Sequence, residues 1–446
     1  MKTQLAVITL LILLASACSL LDDGSAFDEE NGEETESLSF VQIPSPVPQP
    51  PTVMPGTTLG DKWELWVNGT QLRGANIWQA VVIPDLDGLE FKGPGPVGPP
   101  YSQEDFNRLA ELGANYVSIS GPGLFTETAP YAVDFGAQAN LDNLLAMIAS
   151  ADMFATIGFR TGPGRSEFTL CCGGDSYFDG YFNDSVWEDQ AAQDAWVEMW
   201  AYTAERYRQD PIVAGYKLMV EPNAPGVFLD VYEPDEFFPE YANTLLDWNQ
   251  LYPRIVDGIR EVDINTPILI GGTGWSGVVW LPYTKLVDDS RTVYVVHQYE
   301  PQEDYTHQEP RGRASYPGSI DLDYDGNKDP FDKAWLGDLL SSVEAFATRH
   351  DVPLVVDEYG ANRWVTGSAD YLNDEMAIFE QHGFNYAIWE WSTSWEPFAE
   401  DVHAMNYLLG ADPDNTTAFT RNDLLDVLTK YWERNSVRPS TFTNAP

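Results

Sequence analysis

Pro353-Leu354-Val355-Val356-Asp357-Glu358-Tyr359-Gly360 decides the reading of the fold. An apolar, β-branched run follows a proline and stops at a carboxylate. That pattern predicts a fully buried strand in a parallel sheet. A carboxylate at the C-terminal end of such a strand lies where barrel enzymes keep their chemistry. Ile212-Val213-Ala214-Gly215-Tyr216-Lys217-Leu218-Met219-Val220-Glu221-Pro222-Asn223 has the same grammar, an apolar strand closed by a glutamate.

Outward from these two stretches, strands are predicted at Leu72–Trp78, Asn115–Ser120, Phe154–Phe159, Ile268–Gly272, Thr292–Tyr299 and Asn385–Trp391. Amphipathic helices fall between them. One is capped at Ser102 and stops at Leu112-Gly113; others cover Trp187–Tyr207, Tyr241–Val262, Tyr371–Gln381 and Asp423–Trp432. Eight alternations of strand and helix predict a parallel sheet closed into a (β/α)8 TIM barrel over residues 57–436, with a tail at 437–446. Trp63–Thr70 alternates and turns at Asn68-Gly69, a hairpin pattern placed at the barrel bottom.

The chain begins with a leader. Lys2, an apolar run from Leu5 to Ala15, and small residues up to Ala17 predict a signal peptide over 1–17. Cys18 directly after them resembles the lipobox of bacterial lipoproteins, which implies a lipid on its sulfur and an extracytoplasmic, membrane-anchored protein. Residues 18–56 read as a disordered linker: acidic from Asp22 to Glu36, proline-rich from Pro44 to Pro55, with no lysine or arginine from 22 to 55. The net charge of −45 excludes nucleic acid and anionic polymers as partners and suits a neutral substrate. Of the 3 cysteines, Cys171 and Cys172 are adjacent, so the domain is not a disulfide scaffold. A monomer is expected.

Two strand-end glutamates far apart in sequence are what a retaining glycosidase needs: one as acid/base, one as nucleophile. Glu221 is the candidate acid/base and Glu358 the candidate nucleophile. Trp275, Trp280, Trp364, Trp391 and Trp395 lie near C-terminal strand ends and are candidate walls for sugar rings.

Val220-Glu221-Pro222-Asn223, His297-Gln298-Tyr299 and Asp357-Glu358-Tyr359-Gly360 resemble the strand-end motifs of clan A glycoside hydrolases, family 5, the cellulase family, in particular. Gly74-Ala75-Asn76, Gly113-Ala114-Asn115 and Trp389-Glu390-Trp391 fall where that family has its first, second and eighth strands. The resemblance implies the barrel fold, the two glutamate roles, His297 and Tyr299 beside the nucleophile, and Trp389 as a sugar platform. Asn223, Trp391, Trp275 and Trp364 are expected as further substrate contacts and a neutral oligo- or polysaccharide as partner. Three positions depart from the family pattern: Val220 replaces the asparagine before the acid/base, Ser118 replaces the strand-two arginine, and Phe159-Arg160 replaces the strand-three histidine. Arg160 and Arg165 are the candidates for the missing positive charge near Glu358. Tyr305-Thr306-His307-Gln308 resembles an active-site loop of some bacterial members.

Two other readings stand beside this one: a carbohydrate-binding lipoprotein on a degenerate barrel, and another clan A specificity such as an exo-acting β-galactosidase or β-mannosidase. No cofactor is required. Asp321, Asp323, Asp325, Asn327 and Asp332 have the spacing of an EF-hand loop, which predicts a structural calcium.

Overall fold

In a computed structural model the described residues are 60–442, except 89, 172–177, 179, 402 and 403. The leader, Cys18, the linker and Cys172 lie outside them. A closed eight-stranded parallel barrel forms the centre. Its strands, in chain order, are β1 Arg73–Trp78, β2 Tyr116–Gly121, β3 Phe154–Phe159, β4 Val213–Lys217, β5 Ile268–Gly271, β6 Thr292–Gln298, β7 Leu354–Tyr359 and β8 Asn385–Ile388. β1 pairs with both β2 and β8, which closes the ring.

All eight predicted strands are present, because each is a short apolar run buried on both faces. Helices follow seven of them. Between β5 and β6 only a 3-10 segment, Val278–Tyr283, occurs, so the eightfold alternation lacks its fifth α-helix. Pro282 and the glycines at 271, 272, 274 and 277 leave no uninterrupted stretch for one. The expected helix over 241–262 begins later, at Trp248, capped by Asp247; a separate helix, Pro234–Tyr241, precedes it.

The lower barrel interior is apolar: Tyr116, Phe154, Ala214, Leu269, Val293, Val355 and Ala387 fill it together with Leu65 and Trp66. The latter two belong to a helical turn, Glu64–Val67, where a hairpin was expected. Burial decides against the hairpin: the turn puts Leu65 and Trp66 side by side into the barrel mouth, and the Trp66 indole donates to the Ala214 carbonyl (3.0 Å). Residues 437–442 of the predicted tail also belong to the domain. Phe442 packs edge-on against Phe154 (5.6 Å), and Arg438 donates to the Ala114 carbonyl (2.7 Å).

Outside the barrel, Glu375 on the helix Ser368–His382 is fully buried. Burial pushes its carboxyl well above the ordinary range; Tyr371 opposes this and Glu300 adds to it. A raised carboxyl keeps its proton in the folded state after the unfolded chain has lost it. Its contribution to stability is therefore intact below about pH 4.3 and declines as pH rises. Glu375→Gln is expected to match wild type in thermal unfolding near pH 4. Near pH 8 it should melt a few degrees higher, reflecting about 1–3 kcal/mol of relieved burial. Equal melting curves at both pH values would refute the assignment.

Candidate active site

Backbone irregularities at two strand ends build the site. In the β6–β7 pairing the register shifts between Val356 and Glu358, so that Val356 faces Val296 but Glu358 faces His297. Alternation along a strand would send Asp357 and Glu358 to opposite faces; this bulge lets both reach inward. At the other end, the chain leaves β4 at Lys217 and turns at Glu221, whose φ of 52° lies in the left-handed region. That conformation costs about 1 kcal/mol or more in a residue with a Cβ.

The guanidinium of Arg165 holds this turn. It is fully buried and donates to the carbonyls of Arg160 (2.7 Å), Val220 (2.7 Å) and Glu221 (2.7 Å). Asn223 lies beneath the same turn, fully buried, donating to the Thr169 carbonyl (2.9 Å) and accepting from Arg165 (3.4 Å). Expected as a substrate contact, it is a prop under Glu221, because its amide is used up by the backbone.

The two glutamates meet across the barrel top. Carboxylate oxygens of Glu221 and Glu358 and a ring nitrogen of His297 all lie within 4.8 Å of one another. His297 Nδ1 is 3.0 Å from Glu221 Oε1 and 3.4 Å from Glu358 Oε2. Nε2 of the same ring is buried without a partner among the described residues, so the tautomer protonated at Nδ1 leaves no buried donor unpaired. Tyr299 donates its hydroxyl to Glu358 Oε2 (3.3 Å). Glu221 is 18% exposed on the cleft side and Glu358 3%.

Burial raises Glu358 above the ordinary carboxylate range against the pull of His297 and Lys217, and Glu221 adds to the rise. Burial acts the same way on Glu221, but the hydrogen bond and charge of His297, with Arg160 and Arg165, outweigh it and hold that carboxyl lower. Carboxyls this close ionise as a pair, and the pair keeps one proton to a higher pH than a free glutamate would.

Beneath the pair lies a buried polar layer. Asp357 accepts from Tyr116 (3.0 Å) and Ser118 (3.1 Å) and pairs with Lys217 at 2.5 Å. Lys217 Nζ is also 3.5 Å from Glu358 Oε1. The cation in contact with Glu358 is thus Lys217 from β4. Arg160 instead pairs with Glu167 (2.9 Å) and lies over the Trp389 ring (5.4 Å), and Arg165 is committed to backbone carbonyls. Arg160, expected to bring positive charge near Glu358, does so through space rather than by contact, whereas the expected charge of Arg165 is spent on the backbone around Glu221. Glu390, next to Trp389, is buried, and burial pushes its carboxyl up to about 7. Lys217, Asp357 and Glu390 were not singled out from the sequence. The one cue was a lysine interrupting an otherwise apolar strand.

Among the tryptophans, Trp389 is partly exposed beside Arg160. Trp275 is partly exposed, stacks on Tyr232 (6.0 Å, 7° between planes) and donates its backbone N–H to Pro222 (3.0 Å), which places it on the Glu221 side. Trp364 is partly exposed and donates to the Gln308 carbonyl (2.8 Å), fixing the loop that bears His307. His307 packs edge-on against Tyr299 (5.2 Å), and burial lowers its pKa to about 4. Trp395 donates to the Glu90 carbonyl at the rim (3.2 Å). Trp391 and Trp280 are core residues, not walls: both are buried, and the Trp391 indole donates inward to the Asp105 carbonyl (2.9 Å).

The acidic loop has no helix before it. It joins Gly318–Ile320 and Asp329–Phe331, two strands of an antiparallel ribbon. Asp321, Asp323 and Asp325 converge within 4.8 Å, a set of oxygens that could hold a cation. Asn327 is bonded to Asp325 (3.0 Å), and Asp332 caps the helix Lys333–His350 through the N–H groups of Ala334 and Trp335. Asp332 is therefore not the closing ligand of an EF-hand. Glu221, His297 and Glu358 are also near enough to ligate an ion, yet Lys217 already sets a cation against Glu358, which disfavours a second.

A parallel barrel with two carboxylates and a histidine at its C-terminal face is the architecture of a glycosidase. The chain belongs to the cellulase family, glycosyl hydrolase family 5, whose sequence profile matches residues 75–394. Endoglucanase C of Acetivibrio thermocellus is 27% identical over 124 residues, 28% of this chain and 31% of its own length. An endoglycoceramidase of Hydra vulgaris is 28% identical over 142 residues, 29% of this chain and 26% of its own. The matched stretches thus span about a quarter to a third of these relatives. Endoglucanase Cel5A of Thermotoga maritima shares the fold, with a TM-score of 0.54 at 17% identity, covering 82% of this chain and 99% of that one.

Proposed function

We propose that this glycosidase cleaves neutral β-linked glycans of the β-glucan or β-mannan type by double displacement. The observation that carries the proposal is the pair Glu221–Glu358, with oxygens within 4.8 Å. Retaining glycosidases hold their carboxyls about 5–5.5 Å apart, whereas inverting ones need about 6.5–9.5 Å to admit a water.

In the first step a Glu358 carboxylate oxygen bonds to the anomeric carbon. The glycosidic bond breaks, and Glu221 gives its proton to the leaving oxygen. In the second step Glu221 takes a proton from water, whose oxygen attacks the anomeric carbon and releases Glu358. The first step needs the pair's one proton on Glu221. Lys217 and the Tyr299 hydroxyl beside Glu358 favour its ionised form for that step. Trp389 would support the glycone, since aromatic faces pack against sugar rings. A chain of net charge −45 suits an uncharged glycan and repels an anionic one. A surface-tethered location rests on Cys18 and the linker that follows it.

One observation favours a second reading. On the Glu221 side, where the leaving group departs, Tyr232, 38% exposed, stacks on Trp275. An apolar rim there fits a sugar joined to a lipid, and one of the relatives is named for such a substrate.

Reducing-end release from β-glucans, β-mannans and a glycosphingolipid, with Glu358→Ala as control, tests both. Cleavage of an internal polysaccharide bond supports the first reading. Release of an oligosaccharide from the lipid alone supports the second. Binding without cleavage by wild type would overturn both.

A further inference from the structure

We infer that Lys217 is the positioning cation of the nucleophile, supplying from β4 the positive charge that the resemblance expected from strand two. This rests on Glu358 being the nucleophile.

The geometry is specific. Lys217 is 1% exposed, and its ammonium lies 2.5 Å from Asp357 and 3.5 Å from Glu358. Its stem crosses the barrel where β3 has no side chain: a Cβ on Gly158 would sit 2.8 Å from Lys217 Cε. On β2, Tyr116 donates to Asp357 Oδ1 and Ser118 to Oδ2, the oxygen that the ammonium meets, so that carboxylate is fixed and holds the ammonium in place. The serine thus reads as part of a rearranged charge network. The bulge in β7 completes it, since only with Asp357 and Glu358 both inward can one lysine touch both.

The groups facing Glu358 are Lys217 from β4, His297 and Tyr299 from β6, Glu221 beyond β4, and Arg160 beyond β3. Asp357 on β7 and Glu390 beyond β8 also bear on it. Of these, Lys217 is the cation in direct contact that is not shared with Glu221. Its charge favours the ionised form of Glu358 and offsets part of the burial that raises this carboxyl.

Removing Lys217 alone would leave Asp357 as a buried unpaired charge, so the informative comparison is Asp357→Asn against the double variant Lys217→Met/Asp357→Asn. These differ only in the lysine. The first readout is a pH titration of carboxyl-carbon-labelled glutamates by NMR, with Glu358→Gln and Glu221→Gln as assignment controls. It needs no substrate. The Glu358 ionisation is expected to move up by roughly one to three pH units in the double variant. The second readout is the pH profile of kcat/KM on a chromogenic β-cellobioside. Its acidic limb should rise in parallel, and the maximum should fall about ten- to a thousand-fold. If the two variants titrate alike, the charge role of Lys217 is wrong whatever the enzyme cleaves. If the titration shifts but no panel substrate is hydrolysed by wild type, Lys217 stands as the partner of Glu358 and the double-displacement reading fails.

Discussion

Glu358→Ala is expected to lower β-glycan turnover by roughly 10⁴-fold or more while the barrel stays folded, because Lys217 retains its contact with Asp357. The variant removes the atom that bonds to the anomeric carbon. Azide is small enough to stand where the carboxylate was. It would attack from the Glu358 side and give a glycosyl azide of inverted configuration. Glu221→Ala should behave differently. A substrate whose leaving group needs no proton, such as a dinitrophenyl glycoside, would still load Glu358. Azide would then displace Glu358 from the opposite side and give the azide with retained configuration. His297 touches both carboxylates, so distance alone does not assign the roles; the stereochemistry of the two azides does. Products of the opposite configurations would exchange the roles, and no azide product from either variant would remove the covalent intermediate.

Arg165→Met is expected to cost several kcal/mol of stability, because three buried carbonyls lose their donor at about 1–3 kcal/mol each. It should also reduce kcat by about a hundred-fold, because the carboxylate it displaces must be held within a fraction of an ångström. The guanidinium donates to three carbonyls around Glu221, and those bonds offset the left-handed backbone there. Without them the turn relaxes and Glu221 leaves its hydrogen bond to His297. Arg165→Lys keeps the charge but not the fork that spans Val220 and Glu221. It should fold with a smaller stability loss and still show most of the kcat defect. Denaturant unfolding within about 1 kcal/mol of wild type for Arg165→Met would show that the turn holds itself.

Much of this was legible from the chain. The eight strands are local: short apolar runs buried on both faces announce themselves without reference to their neighbours. Glu221 and Glu358 were legible because each closes such a run, and the C-terminal end of a barrel strand is a place fixed by the fold class; His297 and Tyr299 were legible through the resemblance of their motif to the family's. The departures at Val220 and Ser118 were visible too, but not what they meant.

Tertiary structure decided which way side chains point and what lies opposite them. Whether Asp357 faces inward depends on a one-residue register shift against β6. Lys217 reaches Glu358, 141 positions along the chain, only because Gly158 leaves it room and Asp357 anchors it. Arg165 looked like a loop residue, but two of its three carbonyl partners lie more than 50 positions away. Asn223 and Trp391 sit at the expected strand ends yet turn toward backbone carbonyls, since a buried amide or indole must find an acceptor before it can serve a ligand. Local pattern specifies which element a residue belongs to. Register, bulges and hydrogen-bond demand, which arise only when distant strands pair, specify what it touches.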